Sequence, residues 1–247
     1  MTAIKPGAVP EVEQHDAELE ARVAVRTEEL SALSTHLLKM MEGERSQLAK
    51  ELHDELGGLI TAAKMDMAWL QAHIGGALDP PSKEKFASVV QMLNQAMTLK
   101  RRVVESLRPS LLDHFGLPVA LRSHFDENCG RAGIEYVATL PEEILDLDPA
   151  VQLTLFRVAQ ESLTNLLARG QAKHVELVIE CQDEPAGGQG YLLTVGDDGT
   201  AMSEAQLRAL VGMRHRVMGA GGRMDAQAAP GLGNRITVFV PKQAASA

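Results

Sequence analysis

Two long apolar stripes separated by a cluster of helix breakers constrain this chain more than any other feature. The first stripe opens as Leu19, Val23, Arg26, Leu30, Leu33, Leu37, Met40 and Glu44, spaced alternately by four and three. That spacing is a coiled-coil period. Arg26 and Glu44 interrupt it, so it predicts a dimerising helix with imperfections. One amphipathic helix packed on its own domain would read the same way. The stripe continues without a clear stop through Leu48, Leu52, Leu56, Leu59, Ala63, Met67 and Leu70. Gly75-Gly76-Ala77-Leu78-Asp79-Pro80-Pro81 then breaks it. Ser82 is the expected N-cap of a second helix, which carries Phe86, Val90, Leu93, Met97, Val104 and Leu107 on one face and ends before Pro109. Two such helices joined by a short turn make an αα-hairpin. A lone hairpin cannot bury both stripes, whereas two copies forming a four-helix bundle can.

After Pro109 the texture changes. A helix is expected from Pro118, then a strand over Ile134 to Leu140. Asp148-Pro149 reads as an N-cap followed by proline at the first helical position, opening a helix to about Leu167. Strands follow at Val175 to Cys181 and Tyr191 to Val195, around a Gly-rich hairpin loop at Glu184 to Gly190. A single helix runs from Ser203 to about Met218. The last strands span Arg223 to Gln227 and Arg235 to Val240. The second half is therefore an α/β sandwich, a mixed sheet covered by helices on one face, and the fold class is α+β.

Composition narrows the possibilities. Aromatic residues make up only 3%, so the core must come from Leu, Val, Ile, Met and Ala. A net charge of −9 argues against direct nucleic-acid binding, which needs Lys and Arg to neutralise phosphates. Cys129 and Cys181 form no CxxC pair and are expected as two reduced, buried thiols. No segment approaches the roughly 18 apolar residues of a membrane span, and the first ten residues lack a signal-peptide pattern. The expected compartment is the cytoplasm.

One histidine stands out. His53 lies one position past Leu52, at the edge of the apolar stripe, with Asp54 beside it. A carboxylate next to a histidine can orient it and accept its proton during nucleophilic attack. A solvated surface pair has the same appearance. Gly57-Gly58 adds a second clue, because glycine inside a helix costs about 1 kcal/mol relative to alanine. Two of them make sense where another domain must approach closely, or where the helix kinks.

Glu44-Arg45-Ser46-Gln47-Leu48-Ala49-Lys50-Glu51-Leu52-His53-Asp54-Glu55-Leu56-Gly57 resembles the phosphoacceptor box of histidine kinases of the nitrate-sensor-like class. Arg108-Pro109-Ser110-Leu111-Leu112-Asp113-His114-Phe115-Gly116-Leu117 is similar to that family's segment between hairpin and ATPase domain. Five regions are expected. Pro and Gly make 1–10 a disordered N-terminus, and the seam makes 11–41 a coiled-coil signalling helix. The resemblance, which runs from about residue 40 to the end, implies a dimerisation and phosphotransfer hairpin over 42–112. A linker over 113–130 and an ATP-binding catalytic domain over 131–247 complete them. The resemblance also implies that His53 Nε2 attacks the γ-phosphate of ATP and that Asp54 orients and activates the ring. A homodimer and the receiver domain of a response regulator are the implied partners.

The nucleotide site follows from the same resemblance. Gln160-Glu161-Ser162-Leu163-Thr164-Asn165 resembles the family's N-box, implying Asn165 as the Mg²⁺ ligand with Glu161 one turn away. Val195-Gly196-Asp197-Asp198-Gly199 resembles the adenine-binding box. It implies that Asp197 accepts from the adenine amino group and that Gly199 allows close approach. Gly212-Met213-Arg214-His215-Arg216-Val217 resembles the segment whose helix N-terminus helps hold phosphates. Pro230-Gly231-Leu232-Gly233-Asn234 resembles the last glycine turn.

Departures accompany these matches. Ala201 and Ala209 replace family glycines, Arg169 follows Ala168 where a basic pair is expected, and Asn234 replaces a threonine. Gly58 stands where some members carry a glutamine tied to dephosphorylation of the partner. Lost glycines restrict loop closure. An autophosphorylating kinase, a non-catalytic docking module and a hydrolytic ATPase of the same sandwich type therefore all stay open.

Overall fold

The computed structural model describes residues 8–142, 145–183, 189–229, 231 and 233–242. Helix α1 (Ala8–Glu51) passes through a wide π turn at Leu52–Leu56 into α2 (Gly57–Ile74). Glu51 and Gly57 both keep right-handed helical dihedrals, so the two glycines do not break the rod. Residues 8–10, expected to be disordered, are helical. Pro10 sits in the first turn, where its missing N–H has no intrahelical acceptor to lose. Residues 1–7 lie outside the described residues.

Helix α3 (Pro80–Leu107) is capped by Asp79 rather than Ser82. The Asp79 carboxylate accepts from the Ser82 backbone N–H at 3.2 Å. Pro80 and Pro81 then fill helical positions that need no donor, which moves the start ahead of Ser82. Phe86, Val90, Leu93, Met97, Val104 and Leu107 are all half-buried in the hairpin. On the opposing rod, Ala49, Gly57 and Ile60 are buried, while Leu48, Leu56 and Leu59 of the first stripe stay exposed. Leu30, Leu33, Leu37 and Met40 of α1 are at least half exposed as well.

The segment expected as a linker, 113–130, lies inside helix α4 (Ser110–Ala132). Gly116 kinks it with φ 77°, a conformation that costs a residue with a Cβ. Beyond the kink, Leu117, Leu121, Phe125 and Cys129 repeat every four residues and are wholly buried. This part of α4 is thus a layer of the sheet half. The signal was the i, i+4 apolar repeat itself.

Strand β1 (Glu135–Thr139) leads to helix α5 (Pro149–Arg169), whose cap Asp148 accepts from the Ala150 N–H at 2.7 Å. Then come β2 (His174–Asp183), β3 (Gln189–Asp197), α6 (Glu204–Ala209), α7 (Val211–Gly219), β4 (Arg223–Ala229) and β5 (Gly233–Pro241). The five strands order β1-β2-β3-β5-β4, with β1 parallel to β2 and every other pair antiparallel. Val175, Leu177 and Ile179 of β2 bury alternately beneath the helices, while Glu176 and Glu180 face out.

Two further expectations change. The single helix from Ser203 to Met218 is two helices, broken at Leu210 (ψ 8°) so that Leu210, Met213 and Val217 can bury together. Cys129 is buried, and that burial, with Asp126 nearby, pushes its thiol up to about 11. Cys181 instead is exposed, because the inward alternation of β2 ends at Ile179. Of the loop expected over Glu184 to Gly190, residues 184–188 lie outside the described residues, while Gln189 and Gly190 already pair in β3.

The halves meet at a buried arginine. Arg157 of α5, 3% exposed, donates from Nε and Nη2 to Glu42 of α1 at 2.8–3.2 Å. Its Nη1 and Nη2 also donate to the carbonyls of Ser106 (3.0 Å) and Leu107 (2.5 Å) at the end of α3. Arg216 of α7 reaches Glu42 Oε1 at 2.8 Å. Burial alone would raise the Glu42 carboxyl; Arg157 and then Arg216 outweigh it and hold it below its ordinary 4.5. The contribution of Glu42 to stability is therefore complete above about pH 4.5 and is lost as pH falls below that value. Arg157→Met leaves the buried partners uncompensated and is expected to cost about 3 kcal/mol in urea unfolding followed by circular dichroism. Arg157→Lys should recover only part, because an ammonium lacks the planar fork.

Candidate functional site

His53 sits in the π turn between α1 and α2, exposed, with Asp54 exposed beside it. Wide turns of this kind concentrate at functional sites, since they re-aim side chains within an otherwise continuous helix. Two residues from beyond the hairpin turn secure the region. Lys100 Nζ of α3 donates to the carbonyl oxygen of His53 at 3.3 Å. Arg108, just past α3, donates to Ser46 Oγ of α1 at 2.7 Å and to Asp113 Oδ2 of α4 at 3.0 Å. Glu105 accepts from the Ser110 N–H at 3.1 Å and so caps α4.

The nucleotide candidates collect where α5 meets the ends of β3 and β5. Asp197, the last residue of β3, is the centre of a tight group. Its Oδ2 accepts from Arg169 Nη2 at 3.0 Å. Its Oδ1 accepts from the Gly199 N–H and from Asn234 Nδ2, both at 2.9 Å. Asn234, 5% exposed, also donates to the Thr200 carbonyl at 3.0 Å and accepts from the Met202 N–H at 2.7 Å. The asparagine that departs from the family's threonine therefore organises the whole loop after β3. Gly233 precedes it with φ 76°, packed against the Asp197 backbone, where a Cβ has no room. Pro230 and Leu232 of the same expected turn lie outside the described residues.

The neighbouring acid behaves differently. Asp198 Oδ1 accepts from the backbone N–H groups of His174 (2.9 Å) and Lys173 (2.8 Å), and its Oδ2 meets His174 Nδ1 at 2.8 Å. These hydrogen bonds, the His174 backbone first, lower its carboxyl to about 2, and the bond to Asp198 raises His174 in turn. Asp198 joins β2 to the β3 exit, which leaves Asp197 as the ligand-facing candidate.

On α5, Glu161 is exposed and Asn165 half-buried, one turn apart. No hydrogen bond among the described residues ties either to the Asp197 group. Gly212 is exposed in the first turn of α7, but Met213 is 1% exposed and packs into the core. The break at Leu210 turns its side chain inward and keeps its backbone in the first turn of α7. Arg169 Nε is buried with no acceptor among the described residues. No hydrogen bond or ion pair among the described residues joins His53 or Asp54 to this group. Sequence reading missed Glu42, Arg157 and Lys100, of which only Arg157, between Phe156 and Val158, is a charge in apolar surroundings.

Residues 44–112 match a protein-family model described as histidine kinase. The chain is 31% identical over 216 residues to the signal transduction histidine-protein kinase/phosphatase UhpB of Salmonella typhimurium, covering 85% of this chain and 41% of that protein. It is 27% identical over 207 residues to the nitrate/nitrite sensor protein NarX of Escherichia coli, covering 81% and 33%. It is 26% identical over 202 residues to the sensor histidine kinase LiaS of Bacillus subtilis, covering 80% and 54%. The chain thus spans from about a third to about half of the length of these curated relatives. Residues 44–112 are a histidine kinase segment by family, and over about four fifths of its length the chain is similar to sensor histidine kinases, the nitrate/nitrite sensor among them.

Asn234→Ala removes one partner from three buried or half-buried groups and is expected to destabilise the fold by about 1–3 kcal/mol in urea unfolding. A change within experimental error would mean that the loop after β3 is held by other means.

Proposed function

We propose that this chain is an ATP-dependent histidine protein kinase core that phosphorylates its own His53. It then passes the phosphoryl group to an aspartate on the receiver domain of a response regulator. The observation that carries the reading is an exposed histidine–aspartate pair, in a wide helical turn inside the family-matched hairpin, on the same chain as a nucleotide-type site. In this reading His53 Nε2 attacks the γ-phosphorus, the bond to the β–γ bridging oxygen breaks, and ADP leaves. Asp54 takes the ring proton. Asp197 accepts from the adenine amino group, Gly199 admits the base, and Arg169 Nε donates to the nucleotide. Gly212, at the start of α7, faces the phosphates.

The donor set fits Mg²⁺, which needs only one or two oxygen ligands from protein and takes the rest from phosphate and water. Asn165 would hold it, with Glu161 one turn away, and bound Mg²⁺ offsets the charge of the transferred phosphate. The unburied stripes of the hairpin and of α1 support a homodimer whose hairpins form a four-helix bundle. Use of ATP implies a cytoplasmic location.

One observation favours a second reading, a docking module with weak or no catalysis. Asp197 Oδ1 already accepts from Gly199 and Asn234 and Oδ2 from Arg169, and the side chain is only 7% exposed, so adenine has only the remaining lone pair of Oδ2 to use. The two readings separate on incubation with γ-labelled ATP and Mg²⁺. Acid-labile, base-stable label that disappears in His53→Gln is the expected result. No label on the intact protein, together with no ATP binding at about millimolar concentration, would leave the docking module.

A further inference from the structure

We infer that Lys100 is a positioning residue for His53, acting through the seat that Gly57 leaves for its ammonium group. The inference rests on the reading of His53 as the phosphoacceptor. Three observations carry it. The π turn at Leu52–Leu56 widens the helix at His53. Lys100, half-buried on α3, extends across the hairpin and donates to the His53 carbonyl at 3.3 Å. A Cβ on Gly57 would stand 2.7 Å from that same Nζ, whereas one on Gly58 meets nothing within 4 Å.

The two adjacent glycines therefore differ in role. Gly57 is small because the lysine occupies the space of its side chain. Gly58 leaves open surface on the next residue. The ammonium adds a charged donor to the carbonyl of a residue inside the widened turn. The hydrogen bond fixes the backbone of the very residue whose ring must meet an incoming phosphorus, and small misplacements of a reacting group are costly in rate.

The test uses the full chain and two phosphodonors. Potassium phosphoramidate transfers its phosphoryl group to imidazole nitrogen directly: the P–N bond of the donor breaks, ammonia leaves, and the ring proton is released to buffer. It needs no ATP site. With both donors, Lys100→Met is expected to slow labelling of His53 on the order of fivefold, as loss of one charge-assisted hydrogen bond implies. With ATP the loss should fall on the maximal rate and leave the KM for ATP unchanged. Lys100→Arg should restore most of the rate. Gly57→Ala should displace the flexible ammonium and slow labelling similarly, although alanine favours the helix. Combined with Lys100→Met it should add nothing further, since both changes remove one contact.

Wild-type labelling rates in Lys100→Met, or failure of arginine to restore them, would overturn the inference. So would a loss of helical circular dichroism in Lys100→Met, which would make the lysine a fastener of the hairpin rather than a guide of the histidine. If phosphoramidate labels His53 and ATP does not, the kinase reading fails while the comparison of variants still decides the role of Lys100. If phosphoramidate leaves the wild-type protein unlabelled, the inference falls.

Discussion

The Arg157 guanidinium has five N–H groups and a fixed planar fork, and this molecule engages the fork on both sides. One edge grips the Glu42 carboxylate of α1; the other reaches the Ser106 and Leu107 carbonyls and Gln160 Oε1. Those carbonyls are orphans of the last turn of α3, where the helix dipole adds negative potential. A buried cation there is matched to an anion, to helix-end acceptors and to a neutral amide at once. The sheet half is thereby keyed to both strands of the hairpin rather than tethered to its end. Arg216 adds a second cation on the same carboxylate and brings α7 into register with α1.

The hairpin is organised around a different shortage. Its two helices have enough apolar residues for two faces, but the single chain buries only one. Ala49, Gly57 and Ile60 turn inward, while Leu56 and Leu59 of the recognised stripe, with Met65 and Trp69 beyond it, face solvent. An exposed apolar surface of that kind marks a place where another surface can pack. The small residues on the inward face let the helices approach closely enough for Lys100 to reach the backbone of the opposite helix.

The periodic elements were readable from sequence because their patterns have one dominant cause. The i+3/i+4 stripes gave both hairpin helices, and Asp148-Pro149 gave the start of α5 to the residue. Strand alternation located all five strands within a few positions. The errors have physical origins. Ser82 looked like a cap because proline pairs read as breakers, although the first helical turn tolerates them behind Asp79. Residues 113–130 looked like a linker because Gly116 and Pro118 punctuate a helix whose buried face resumes immediately after. Within the site, the contiguous box exposed His53 and Asp54, and motif order brought Asp197 to the end of β3. Asn234 appeared only as a departure, and its three hydrogen bonds depend on chain crossings that no linear pattern encodes. Glu42, Arg157 and Lys100 were invisible for the same reason: their partners lie 115 and 47 residues away.

The ion pair between Glu42 and Arg157 also has a mechanical meaning. Glu42 stands roughly three helical turns before His53 on one continuous rod. A side chain on a helix changes direction by about 100° per residue, so a modest twist of α1 about its axis swings the carboxylate out of reach of a fork fixed in α5. Because the same rod carries His53, that twist also turns the histidine. Torque applied upstream would release the sheet half and re-aim His53 in a single motion, the histidine being carried in the π turn itself.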